Sequence, residues 1–276
     1  MVDPAQLAPL PVDVVSVQSQ VCYGCVGNCV AVPTLQALGL NVVPVPTVYL
    51  STVPQYDTLS GGAIPQEWFE GFLADIGRRG VLRHARAVLV GYLGSPAQAR
   101  ALADWLRDAI ADKPELLVLL DPVMGDHDSG LYVHPELPAA LTGLTGLATG
   151  LTPNAFELER LAGRALGTLE ETVAAARALL GGRTRWVVVT SAAPSEAGQD
   201  ETRIAIVTQG EHAVVRHRRV ASAAKGTGDL FSAALLAGLL RGGDLPGAVR
   251  AAQERVVTVL ERTERLGCAE LVLNEV

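Results

Sequence analysis

The chain has 276 residues, a formal net charge of −7, 49% apolar residues and only 4% aromatic ones. That length suits one large α/β unit whose core is filled by small aliphatic side chains. A mildly acidic chain without a Lys/Arg run has no electrostatic footprint for nucleic acid or an anionic membrane, and no stretch reaches the roughly 18 unbroken apolar residues of a spanning helix.

Residues 1–11 carry Asp3 and the prolines Pro4, Pro9 and Pro11, with no positively charged start. This reads as a flexible extension rather than an export signal, so the cytoplasm is the expected compartment and 12–276 the expected single domain. A short apolar strand is predicted over 12–17, then Gln18–Ser19 and a turn containing Tyr23, Gly24, Gly27 and Asn28. A helix to about Leu38 follows, with Pro33 inside it and Gly39 ending it, and a strand over 41–45. The stretch 46–64, rich in Thr, Ser, Pro and Gly, is expected to be irregular, which at that length points to a functional loop. Pro65 opens a helix whose Trp68, Phe69, Phe72, Leu73 and Ile76 recur at helical spacing, as a core stripe does.

Buried strands are predicted over 87–90, ending at Gly91, over 116–120, ending at Asp121, over 147–151, ending at Thr152, and over 186–189, ending at Thr190. Helices are predicted over 96–111, 228–240 and 245–262, with an edge hairpin over 202–207 and 212–216. Continuous apolar strands alternating with amphipathic helices indicate a mainly parallel sheet covered on both faces, a three-layer α/β/α sandwich with no separate lid domain. In such sheets ligands bind beyond the carboxyl ends of the strands. Gln18–Ser19, Gly91–Tyr92, Asp121, Asn154 and Thr190 all fall there, which predicts a long groove for an elongated pair of substrates.

Cys22, Cys25 and Cys29 cluster in the turn after the first strand, while Cys268 is distant. Their spacing fits no four-ligand metal pattern, so three small residues in a glycine turn is the favoured reading.

The strongest motif is Lys225-Gly226-Thr227-Gly228-Asp229 ahead of a long apolar helix. Glycines let successive N–H groups converge on an anion, and the helix directs its positive end at the same point. A carboxylate there suits proton removal from an attacking hydroxyl beside a stabilised phosphoryl group. A glycine turn with Asp229 as a helix-dipole residue is the plainer alternative. Asp121, in Asp121-Pro122-Val123-Met124-Gly125, ends a buried strand, where a carboxylate needs a cation or N–H partners. Thr152-Pro153-Asn154-Ala155-Phe156-Glu157 reads either as a capping pair or as Glu157 ordering water around magnesium. Tyr92, in Gly91-Tyr92-Leu93-Gly94-Ser95, reads either as a half-buried turn residue or as a cover for a flat ring.

Taken in order, these four segments resemble the ribokinase-like superfamily in its vitamin-kinase branch. The run from Val17 to Asn28, with Pro54-Gln55-Tyr56, resembles the pyridoxal kinase family, and the likeness spans nearly the whole chain. The resemblance implies ATP-dependent phosphorylation of the 5′-hydroxyl of pyridoxal in vitamin B6 salvage, with Asp229 as base and the N–H groups of Gly226, Thr227 and Gly228 as the anion hole. Ser19, Thr47, Gln55, Tyr56 and Tyr92 would then surround the substrate. Asp121, Thr152, Asn154, Glu157, Thr190, Ser191, Lys225, Gly226 and Gly228 would serve ATP, with Asp121 and Glu157 organising Mg²⁺, a monovalent cation as a further cofactor, and the 125–132 loop over the nucleotide. A homodimer is also implied. Cys25 stands where relatives carry His, Pro54 where they carry Thr, and Thr190 where some carry Lys.

A hydroxymethylpyrimidine kinase is the competing member of the branch, against which the Gly-Tyr-Leu-Gly-Ser and Pro-Gln-Tyr segments and an Asp at 229 argue. A sugar kinase would need inserted lid strands early in the chain. A non-catalytic vitamer binder would not need the Asp229 base.

Overall fold

The computed structural model describes residues 7, 8, 10–198 and 200–274, so most of the N-terminal extension expected over 1–11 lies outside the described residues. The first half runs β1 (Val14–Val21), α1 (Asn28–Ala37), β2 (Val42–Leu50), β3 (Gly61–Ala63), α2 (Gln66–Arg78), a short α3 (Val81–His84), β4 (Ala87–Val90), α4 (Pro96–Asp112) and β5 (Leu117–Leu120). The second half runs β6 (Gly125–Asp126), β7 (Gly130–Leu131), α5 (Leu137–Thr145), β8 (Gly150–Leu151), α6 (Ala155–Ala162), α7 (Leu169–Ala178), β9 (Trp186–Val189), β10 (Glu201–Thr208), β11 (His212–Arg218), α8 (Thr227–Leu240) and α9 (Leu245–Leu266).

The central sheet has the order β11-β10-β9-β8-β5-β4-β1-β2-β3. From β9 to β2 every pairing is parallel, while β3, β10 and β11 add antiparallel edges. Side chains alternate along each strand. Val118 and Leu120 therefore face a core built with Leu102 and Leu106 of α4, Leu141 of α5 and Val173 of α7. Leu119 faces the opposite core, built with Leu35 of α1, Leu235 and Leu236 of α8, and Val249 of α9. The result is the expected three-layer α/β/α sandwich. The chain leaves β1 for β2 on one side and later returns to β4 on the other, so the order switches at β1. That switch opens a crevice at the strand ends, between the turn after β1 and the Gly91–Ser95 turn after β4.

Several sequence expectations change. β1 runs on to Val21 rather than ending at Val17, so Gln18 and Ser19 lie inside it, and the strand expected over 147–151 is only Gly150–Leu151. The stretch 46–64 is not wholly irregular, because β2 continues to Leu50 and β3 returns beside Val48–Leu50. Pro44 and Pro46 disguise the strand in the sequence. They share one side of β2 by its two-residue period, and β3 pairs only from Val48 onward, so their missing N–H groups face no ladder. The stripe on α2 is core only at Phe69, Leu73 and Ile76. Trp68 and Phe72, four residues apart on the outer face, are 58% and 37% exposed.

Candidate active site

Two glycine turns meet over the strand ends. The first follows β1, where Gly27 has φ 54 and a Cβ there would stand 2.2 Å from Ser19 Oγ. The second precedes α8, where Gly226 has φ 90 and a Cβ would stand 2.0 Å from the Cys25 carbonyl oxygen. Only residues without side chains allow both the left-handed backbone and this approach. No side chain caps α8, so the first N–H groups of that helix point into the crevice without intrahelical acceptors.

Asp229 sits in the first turn of α8, and its Oδ2 accepts from the Gly27 N–H at 2.8 Å. Burial pushes its carboxyl up to about 6, partly offset by that hydrogen bond. A base poised there is deprotonated at neutral pH yet basic enough to take a proton from an alcohol as it is attacked.

Asp121, 6% exposed, ends β5 beneath Gly228. Its Oδ2 accepts from Ser232 Oγ at 3.0 Å, and Ser232 Oγ lies 2.9 Å from Thr152 Oγ1. Burial raises its pKa well above the usual carboxylate range, and the nearby Glu157 and Asp229 raise it further. Glu157 is raised to about 7 by burial, against the hydrogen bonds it accepts. Those bonds come from the Asn154 N–H at 2.8 Å and the Met124 N–H at 2.9 Å, while Asn154 Oδ1 accepts from the Glu157 N–H at 2.9 Å. The capping pair is thus present. Asn154 Nδ2 also donates to the Gly125 carbonyl, tying the β6–β7 hairpin to α6.

Desolvated, mutually repelling carboxylates are a fitting seat for a cation. Among the described residues no three acidic, His or Cys side chains converge to cage a metal. Mg²⁺ would therefore rest on Asp121 and on substrate phosphates, its common mode, and Glu157, each oxygen already accepting a backbone N–H, would suit a water-mediated contact.

One groove of about 1020 Å³ joins these parts. Its one end is lined by Ser19, Val48, Val53, Gln55 and Tyr92, and its other by Thr190, Ser191 and Arg203, with Asp229 between.

A family profile described as phosphomethylpyrimidine kinase matches residues 80–274. The pyridoxine/pyridoxal/pyridoxamine kinase of Bordetella pertussis is 54% identical over 272 residues, covering 98% of this chain and 96% of the relative. The chain belongs to the pyridoxal kinase family. That family consists of ATP-dependent kinases within the ribokinase-like superfamily. The pyridoxal kinase of Entamoeba histolytica shares the fold at TM-score 0.89 and 22% identity, over 96% of this chain and 93% of that one. The pyridoxal kinase of Leishmania donovani, solved with ADP and pyridoxamine, matches at TM-score 0.84 and 27% identity over 95% of this chain and 90% of that one.

Against this family frame, the sequence-predicted residues divide. Ser19, Gln55, Tyr92, Asp121, Thr152, Asn154, Glu157, Thr190, Ser191, Lys225, Gly226, Thr227, Gly228 and Asp229 all line the groove. Thr47 does not: it is fully buried and donates from Oγ1 to the Tyr92 carbonyl at 2.7 Å, supporting the ring-cover turn from beneath. Tyr56 lies behind the lining, donating to Glu270 Oε1 at 2.7 Å and packing its ring 5.8 Å from that of Tyr23. Lys225 Nζ is 3.5 Å from Asp126 Oδ2, which links the α8 turn to the hairpin expected over the nucleotide. Ser191 takes φ 51, turning the chain out of the sheet after β9.

Cys29 Sγ donates to the Val21 carbonyl and accepts from Gln20 Nε2, each at 3.2 Å, so this thiol is tied into the turn. Sequence reasoning missed the apolar wall of Val21, Val48 and Val53, and also Arg203 and Glu270. Val48 and Val53 are hidden by the obscured end of β2, and Val21 by that of β1, which continues four residues past Val17. Nothing local marks Glu270.

Proposed function

We propose that this chain transfers the γ-phosphoryl group of ATP to the 5′-hydroxyl of pyridoxal, and of its amine and alcohol forms. The observation that carries the reading is the desolvated Asp229 carboxylate at the open end of α8, midway along a groove long enough for both substrates. The name of the Bordetella relative, at 54% identity, supports the substrate class.

The vitamer ring lies among Ser19, Val48, Val53, Gln55 and Tyr92. Asp229 accepts the hydroxyl proton while the freed oxygen pair bonds to phosphorus and the bond to the ADP oxygen breaks. The N–H groups of Gly226, Thr227 and Gly228 stabilise the charge on the transferring group, and the Asp229 proton returns to solvent. Thr190, Ser191 and Lys225 border the nucleotide, and Asp121, supported by Ser232 and Thr152, holds the cation. Magnesium, once bound, supplies positive charge that offsets the phosphates. Thr47 and Tyr56 act from outside the lining. A monovalent cation is a further expected cofactor.

We expect a cytoplasmic homodimer. We assign its interface to the outer face of α2, where Trp68 and Phe72 are exposed four residues apart. Light scattering should give twice the chain mass, falling to one in Trp68→Glu.

The deciding assay follows ADP and phosphorylated product together over pyridoxal, pyridoxine, pyridoxamine and hydroxymethylpyrimidine, with ATP and Mg²⁺. Turnover on the three vitamers is expected. Turnover on the pyrimidine alone would move the substrate while keeping the base, and silence on all four would end the reading.

A further inference from the structure

The segment after α9 has no part in the chemistry above, yet it is built into the alcohol end of the groove. Gly267, at φ 63, ends α9, and the chain doubles back. The Cys268 N–H donates to the Thr263 carbonyl at 3.1 Å, and the Val272 N–H donates to Thr263 Oγ1 at 3.0 Å. Arg262 Nη1 donates to the Leu273 carbonyl at 2.9 Å. Leu271, 3% exposed, is sunk in a small core with Val30 of α1 and Leu230, the neighbour of Asp229.

This anchoring fixes Glu270. Its Oε2 accepts from the Cys25 N–H at 2.8 Å and its Oε1 from Tyr56 Oη at 2.7 Å, with Gln55 Nε2 at 3.5 Å from the same oxygen. One carboxylate thereby joins the turn whose Gly27 holds Asp229 to the loop that carries Gln55 into the groove. Tyr56 registers the contact: its phenol is pushed up to about 12, chiefly by the hydrogen bond to Glu270. Sequence separations of 245 and 214 residues place both contacts beyond any local motif.

We propose that Glu270 is a positioning residue for the alcohol substrate, closing the 51–60 loop against the glycine turn without touching the reacting atoms. It rests on the reading of this groove as a vitamer kinase site. The charge-assisted bonds at Cys25 and Tyr56 hold the wall beside the ring, while the Asn154–Glu157 cap and Thr190 at the nucleotide end are held by other partners. Losing Glu270 therefore loosens one substrate and not the other.

The test uses the full chain with Glu270→Ala, Glu270→Gln and Tyr56→Phe. Glu270→Ala should raise the pyridoxal KM and calorimetric Kd by about tenfold, the loss expected from one charge-assisted hydrogen bond, with the ATP KM changed by less than about twofold. Glu270→Gln keeps an acceptor oxygen and should recover most of the loss. Tyr56→Phe should reproduce part of it and be non-additive with Glu270→Ala. Near pH 11, between the ordinary tyrosine pKa of about 10 and the raised value of about 12, Glu270→Ala should show one more tyrosinate than the wild type.

Equal loss for both substrates, or an unchanged pyridoxal Kd, overturns the proposal. Should Glu270→Ala fail to fold, Tyr56→Phe decides, and unchanged pyridoxal affinity there also overturns it. A wild type silent on every vitamer sinks the functional reading instead, and the tyrosinate count still tests the contact.

Discussion

The two ends of the groove are held by different means. At the nucleotide end the spans are shorter: Asn154 and Glu157 cap each other across three residues, the Met124 N–H reaches Glu157 across 33, and Ser232 reaches Asp121 across 111. At the alcohol end they are long-range, with Asp229 meeting Gly27 across 202 residues and Glu270 meeting Cys25 across 245. A phosphate site needs N–H groups and a cation seat, which a strand end and a helix start supply locally. A site for one particular ring needs walls on several sides, which only tertiary assembly brings together. The nucleotide end should tolerate damage elsewhere, and the alcohol end should report it.

The largest effect should come where the two ends meet. Asp229→Asn should lower kcat by about 10²- to 10⁴-fold, the usual worth of a general base, with pyridoxal affinity by calorimetry nearly unchanged. The same variant should not lower Tm. The folded pKa of about 6 lies above the ordinary aspartate value of 3.8, so this carboxylate costs stability at neutral pH, and the cost fades as pH falls through about 6 toward 4. Asn keeps an acceptor for Gly27 and removes the charge. Gly226→Ala should cost about 10²-fold in kcat by misaiming the anion hole, and here Tm should also fall, because the new Cβ meets the Cys25 carbonyl. Damage to both substrates' KM values would show that this turn belongs to both ends.

The pH profile comes next in size. Asp229 must be deprotonated to act, so kcat/KM for pyridoxal should fall about tenfold per unit below a pKa near 6. A flat profile down to pH 5 would remove Asp229 from the base role. Asp121→Asn should raise the Mg²⁺ concentration needed for half-maximal rate by about tenfold and leave the pyridoxal KM alone, sharpening the division between the ends. The smallest effect should be that of Thr47→Val. It deletes one buried hydrogen bond, worth about 1 kcal/mol in stability, and a denaturant titration should detect it.

That division also explains what could be read from the sequence. Asp121 and Thr190 were legible because each closes an unmistakable apolar run, whereas the strand before Asn154 is only faintly marked; Gly226–Asp229 was legible through its order with the other motifs, since alone it also reads as a plain glycine turn. Thr47 was assigned to the substrate but turns under the sheet, since side-chain direction depends on where β2 begins and ends, and Pro44 and Pro46 obscured that. Trp68 and Phe72 share the spacing of a core stripe, but spacing alone does not say where a helix at the sheet edge runs out of neighbours. Glu270 carried no signal, as a lone acid after a helix reads as a solvated charge.

Helix α8 is buried along most of its length, with Leu230, Phe231, Leu235 and Leu236 packed against the sheet, α1 and α9. Its amides should exchange with deuterium only through global unfolding, whereas the two-residue strands β6 and β7 can open alone. The base is therefore bolted to the last part of the protein to let go. On heating, activity should persist until the whole molecule melts, and the hairpin over the nucleotide should label with deuterium long before any activity is lost.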